Sequence, residues 1–251
     1  MTTSQDTDTA PLVLTRGDRR SLEFKPGMIQ SEMRLSRPDE LVLRYARAMM
    51  AFTLFNPRPR HILMVGLGGG SLAKFCHRHL PDSRITVLEL RADVIALREQ
   101  FLIPPDDARF RIVHADAAAY IARLRSAVDV LLVDGFDANG LPPALGSARF
   151  YADCRRALRP DGVLAANIFS YDPRYAAMLA RLRGVFQRRI CWLNGVAGNN
   201  RIIFAVKPAI GKPSPPLRMQ RLLVWRAGFG LNFLNRLLVR LLVRRLSRAT
   251  A

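Results

Sequence analysis

The sequence predicts an α/β protein on a doubly wound, mostly parallel sheet, and three observations carry that prediction. From Arg60 to Phe169, apolar runs of strand length alternate with segments of helical periodicity, the pattern of successive β-α units. At the first strand-to-helix junction stands Gly66-Leu-Gly-Gly-Gly70. Glycines there permit a tight turn and let a ligand approach the backbone. Acidic residues then follow the next three strands: Glu89, Asp116, and Asp134 with Asp137. Together these features define a Rossmann-like architecture.

The elements follow in order. Residues 1–11 are polar, with almost no apolar content, and are expected to be disordered. Residues 12–57 form an N-terminal region. Short alternating runs in 12–36 are broken by Gly17-Asp18 and Pro26-Gly27 turns and predict a β-hairpin region. Pro38-Asp39-Glu40 then opens a helix, with Leu41, Tyr45, Ala48, Met49 and Phe52 at helical spacing and Pro57 as its stop. Residues 58–208 form the central domain. Strands are expected at 61–65, 84–89, 109–114, 128–133 and 162–169, with helices through Leu80 and over 92–101, 117–124 and 148–158. Runs at 185–193 and 201–207, joined by Asn194 to Asn200, predict an antiparallel hairpin at the sheet edge. Residues 209–251 form a tail, in which a Lys212–Pro216 linker precedes two Leu/Arg-rich helices split at Gly228-Phe-Gly230.

Charge is distributed unevenly along the 251 residues. The stretch through Asp172 holds all 20 acidic residues against 23 basic ones, whereas Pro173 onward holds 16 basic residues and no acidic one. Such a field attracts anions, whether acidic lipid, nucleic acid or an acidic protein. No recognised nucleic-acid module accompanies the charge. Its Leu-Arg alternation instead reads as a basic amphipathic segment that either packs on the protein or a second subunit, or lies on an acidic membrane surface. The three cysteines are widely spaced without a Cys-x-x-Cys pair, which argues for a reducing, cytoplasmic setting. The N-terminus lacks the basic and apolar regions of a signal peptide, and no apolar run reaches the ~18 residues of a spanning helix. Cys76-His77-Arg78-His79 lacks a remote partner pair, so no metal is expected. Trp192 and Trp225 read as core and tail-packing residues.

Four acids at strand ends around a glycine loop point to a nucleoside site. Glu89, 19 residues after Gly70, is placed to accept hydrogen bonds from ribose hydroxyls. Asp116, in Ala115-Asp-Ala117, is placed near an adenine amino group. Asp134 ends a very apolar strand and faces the crevice, while Asp137 also suits a turn cap.

These motifs resemble the spermidine synthase (polyamine aminopropyltransferase) family. The resemblance rests on His61 to Gly70, Val87-Leu-Glu89, Ala115-Asp-Ala117, Asp134-Gly-Phe-Asp137, the later Gly140, Leu145, Phe150-Tyr151, Leu158, Gly162-Val163 pattern and the N-terminal Ile29-Gln-Ser31. It spans roughly residues 20–207 and implies a class I S-adenosylmethionine-dependent methyltransferase type of fold. Carried over, it implies that Gly66, Gly68 and Gly70 pass under the donor and that Glu89 holds ribose. It places Asp116 and Ala117 at the adenine, Gln30 at the nucleoside from the N-terminal side, and Asp134 with Asp137 as catalytic carboxylates. The donor would be decarboxylated S-adenosylmethionine, the acceptor an amine, and the assembly a homo-oligomer, most simply a dimer. Four departures stand out. Gly69 replaces the acid that grips the donor amine, and Leu43 and Tyr45 replace a substrate-facing Tyr and Glu. Gly135 and Ala138 replace Ser and Pro, and Ala197-Gly-Asn-Asn200 replaces a Tyr-Pro segment. They leave two alternatives open: methyl transfer from intact S-adenosylmethionine, and a non-catalytic nucleoside-binding or membrane- or nucleic-acid-associated scaffold.

Overall fold

The computed structural model describes residues 10–137, 140–193, 195–209, 211, 215–228 and 232–248. The expected disordered segment up to residue 9, Ala138, linker residues 212–214 and the Phe229-Gly230 break lie outside them.

Two sheets organise the chain. The first is an antiparallel meander of β1 (Leu12–Arg16), β2 (Arg19–Glu23) and β3 (Ile29–Arg34). The second has seven strands in the order β6-β5-β4-β7-β8-β10-β9. Five of these are parallel: β4 (His61–Val65), β5 (Arg84–Glu89), β6 (Phe110–His114), β7 (Val128–Val133) and β8 (Leu158–Phe169). The order reverses between β4 and β7, the switch point where doubly wound sheets open a crevice. The predicted edge hairpin is present, with β10 (Asn200–Val206) antiparallel to both β8 and β9 (Ile190–Trp192).

Both faces of the large sheet are covered, which is why β4 is buried at all five positions rather than at alternate ones. Ile62 and Met64 join one core, and Leu63 and Val65 the other. The first core lies under α1 (Arg44–Met49), α2 (Ser71–His79) and α3 (Ala92–Ala96), and the tail helices α7 (Pro215–Gly228) and α8 (Asn232–Arg248) add Leu223 and Val239 to it. The second lies under α4 (Ala117–Ile121), α5 (Ala148–Ala157) and α6 (Tyr175–Val185). Among the described residues no helix is long and apolar enough to cross a membrane.

Several boundaries differ from the sequence reading. The helix expected from Pro38 starts only at Arg44 and continues as a 3₁₀ turn over Met50–Leu54. The Arg47 guanidinium donates to the Leu41 and Val42 carbonyls at 2.7 and 2.5 Å, holding that segment outside the helical ladder. α3 is shorter than expected because the chain turns through Leu102 at φ +52° to seat Phe101 in the core. α6 is an element the sequence reading leaves unassigned. It shortens the expected strand at 185–193, since Gln187 and Arg188 both take positive φ in the turn that follows. Trp225, read as a tail-packing residue, is 56% exposed. Trp192 is half-buried, 5.9 Å beneath the Arg183 guanidinium.

Candidate active site

At the carboxyl ends of the parallel strands lies a cavity of about 760 Å³, walled also by β3, α1 and the loop before β10. Every predicted site residue lines it except Gly70.

The glycine loop sets the floor. Gly66 takes φ +92°, and a Cβ there would sit 2.4 Å from the Asp134 carbonyl oxygen. The loop therefore packs backbone to backbone on the end of β7, and any side chain at 66 would displace Asp134. Gly68, at φ +51°, exposes backbone to the cavity. Gly70, at φ +68°, is the N-cap of α2, and a Cβ there would lie 2.6 Å from the Ile103 side chain. At Gly69 a Cβ would lie 2.7 Å from the Phe101 ring and 2.8 Å from Ser31 Oγ. Phe101 and Ser31 thus fill the space that a side chain at 69 would enter.

Glu89 is buried and accepts from two backbone groups, Leu67 N–H at 2.8 Å and Arg91 N–H at 2.9 Å. Each oxygen keeps a second lone-pair direction for a further donor. Asp116 caps α4 by accepting from Ala119 N–H at 2.7 Å, and Ala117 is the first helical residue. Gln30 lies on β3, across the cavity from these strand ends. Arg91, over the Phe24 ring at 4.9 Å and paired with Asp93 at 2.6 Å, completes this end.

The other end centres on Asp134. Val133 pairs with Ala166 in parallel register, so Asp134 and Asn167 stand side by side as the strands end. Asn167 Nδ2 donates to Asp134 Oδ1 at 2.9 Å, and Asn200 Nδ2 donates to Asn167 Oδ1 at 3.0 Å. The Tyr45 phenol also stands against the Asp134 carboxylate, and its hydroxyl has a second acceptor in the Gln30 carbonyl at 3.3 Å. Burial pushes the Asp134 carboxyl up to about 6, against the opposing pull of the Asn167 and Tyr45 bonds. The side chain still reaches the cavity. A carboxylate tuned near neutrality and held by fixed donors is suited to accept a proton. Asp137 lines the cavity too, its N–H bonded to the Gly140 carbonyl at 2.9 Å. Phe136 and Phe169, 4.4 Å apart, carry the wall outward to the exposed Tyr171.

Sequence reasoning missed the two asparagines as site residues and noted Tyr45 only as a departure. One signal was available: Asn167 is a polar residue inside the apolar run Val163 to Phe169, and a buried amide needs partners. The Ala197–Asn200 segment, read as a loss, supplies Ala197, Gly198 and Asn200 to the wall. Cys76, His77 and His79 point apart. Cys76 is buried against the Met50 sulphur, His77 pairs with Asp107 at 3.0 Å, and His79 packs on Phe75. His114 is peripheral, its Nε2 2.9 Å from the Leu90 carbonyl.

A parallel sheet with a glycine turn at its first crossover, and carboxylates at successive strand ends, is a Rossmann-like fold of the class I methyltransferase type. Residues 42–183 match the spermine/spermidine synthase domain, and the chain belongs to that family. It is 41% identical over 223 residues to a polyamine aminopropyltransferase of Chromobacterium violaceum, covering 86% of this chain and 84% of the relative. Among solved structures it resembles a probable spermidine synthase from Corynebacterium glutamicum, with a TM-score of 0.69 at 21% identity over 84% of this chain and 82% of that one. It also resembles human methyltransferase-like protein 13 in complex with SAH, with a TM-score of 0.54 at 27% identity over 73% and 87%.

Proposed function

We propose that this chain transfers an aminopropyl group from decarboxylated S-adenosylmethionine to the nitrogen of an amine acceptor. The observation that carries the reading is Asp134, tuned to about 6 at the inner end of a cavity whose other end holds Glu89 and Asp116. The name of the Chromobacterium relative supports that chemistry, and the SAH in the methyltransferase-like neighbour supports a nucleoside of the S-adenosylmethionine type.

Glu89 would hold the ribose, Asp116 and Ala117 the adenine, and Gln30 the nucleoside from above. The acceptor must attack as a neutral amine. Its lone pair forms a new bond to the propyl carbon attached to sulphur, and the C–S bond breaks with its electrons passing to sulphur, leaving a neutral thioether. The nitrogen then sheds a proton, which Asp134 receives. Tyr45 and Asn167 fix that carboxylate, and Asp137 adds a second negative charge for cationic substrates.

The experiment is transfer with each donor in turn. Purified protein, a diamine and the decarboxylated donor should yield an amine extended by one aminopropyl unit together with 5′-methylthioadenosine, the nucleoside thioether left when the C–S bond breaks. Methylated acceptor formed from intact S-adenosylmethionine, with no reaction of the decarboxylated donor, would overturn the proposal.

A further inference from the structure

The tail helices have two unlike faces. Inward, Leu223 and Val239 are buried in the first core, and Arg236 Nε donates to the Gly195 carbonyl at 2.5 Å, tying α8 to the loop before β10. Outward, α8 exposes Leu237 and Leu241 among Arg240, Arg244, Arg245 and Arg248, recurring at the three- and four-residue spacing of one helical face. α7 exposes Leu222 and Trp225 beside Arg218 and Arg221. These four apolar side chains are 46–56% exposed.

We propose that this outer face docks on the surface of an anionic lipid bilayer. No acidic residue follows Asp172, so the face carries one sign of charge throughout. A second copy would bring the same charge against it. A nucleic acid would satisfy the arginines yet leave the leucines and Trp225 in water. An anionic bilayer meets both, with headgroups for the guanidinium groups and the acyl boundary for the apolar side chains between them. Neither helix is long and apolar enough to span, so the pair lies in the interface plane. Because the inner face is already seated on the protein, docking requires no release of the tail. The proposal is independent of the donor used in catalysis.

The test uses the full chain and vesicles of phosphatidylcholine alone or mixed with phosphatidylglycerol. Binding should require the anionic lipid, weaken as salt is raised, and shift Trp225 fluorescence to the blue. L237S/L241S and R240E/R244E should each weaken it by at least about tenfold, while the melting midpoint and kcat at saturating substrate stay at wild-type values. Equal binding to both vesicle types, no binding, or binding unchanged in both variants would overturn the proposal. So would tight binding of a DNA duplex lost only in the arginine variant, or a dimer that the leucine variant abolishes.

Discussion

The proposed nucleoside end of the cavity is made of turns and strand ends adjacent in the sheet, whereas the proposed acceptor end is made of side chains from separate elements. Gly66, Gly68, Glu89 and Asp116 stand at or just past the ends of β4, β5 and β6, so the crossover topology brings them together. Tyr45, Asp134, Asn167 and Asn200 come from α1, the end of β7, β8 and β10, and they meet through hydrogen bonds that no local pattern encodes. The first kind of site tolerates change in its surroundings, because backbone geometry defines it. The second can be rebuilt one side chain at a time.

The largest test of that division is Asp134→Asn. Turnover should fall by about 10²–10⁴-fold while donor affinity, measured by calorimetry, stays unchanged. An equal loss of donor binding would show that the two ends are one unit. The same variant should be more stable. The Asp134 carboxyl is raised from 3.8 to about 6 in the fold, so the wild type loses stability as pH rises through that window. Allowing for its contact with cavity water, Asn should gain roughly 1–2 kcal/mol in denaturant unfolding at pH 8 and nothing below pH 4.

Gly69→Asp restores the family's acid at the nucleoside end. With Phe101 and Ser31 already inside van der Waals distance of a Cβ, it should cost about 1–3 kcal/mol of stability and bring no gain in donor selectivity. A stable variant with sharper selectivity would mean that Phe101 yields readily. The smallest expected effect is Asn167→Ala. Its N–H stabilises the ionised Asp134, so its removal raises that carboxyl further. The acid limb of the rate profile should move to higher pH, with a loss of roughly tenfold near neutrality. An unmoved limb would assign that limb to another group.

Much of this was legible in the sequence, for reasons that differ by element. The parallel strands were readable because burial on both faces makes them continuous apolar runs, as in Val128–Val133. The edge hairpin and both tail helices were readable from their turns and spacing. α6 was not: only Met178 and Leu182 are buried, and five arginine and alanine positions around them blur its apolar stripe. The start of α1 was misplaced because Asp39 and Glu40 mimic a helix N-terminus, while Arg47, a tertiary contact, decides where the ladder begins. Gly70 was grouped with its neighbours by motif, although only the fold shows that it faces Ile103. Asn200 sits beside Asn167 only because β10 runs back antiparallel along β8, a long-range pairing.

The arginine-covered tail has a kinetic consequence. A sulfonium donor and an amine acceptor are cations, and they approach a protein of net charge +19. At long range the encounter is repulsive, and only within about 10 Å, the screening length at 0.1 M salt, do the strand-end carboxylates dominate. Added salt should therefore quicken substrate capture, the reverse of the usual steering. An anionic bilayer under α7 and α8 would act like local salt: it neutralises the repelling face and gathers a cloud of cations next to it, enriching the enzyme's own substrates where it sits.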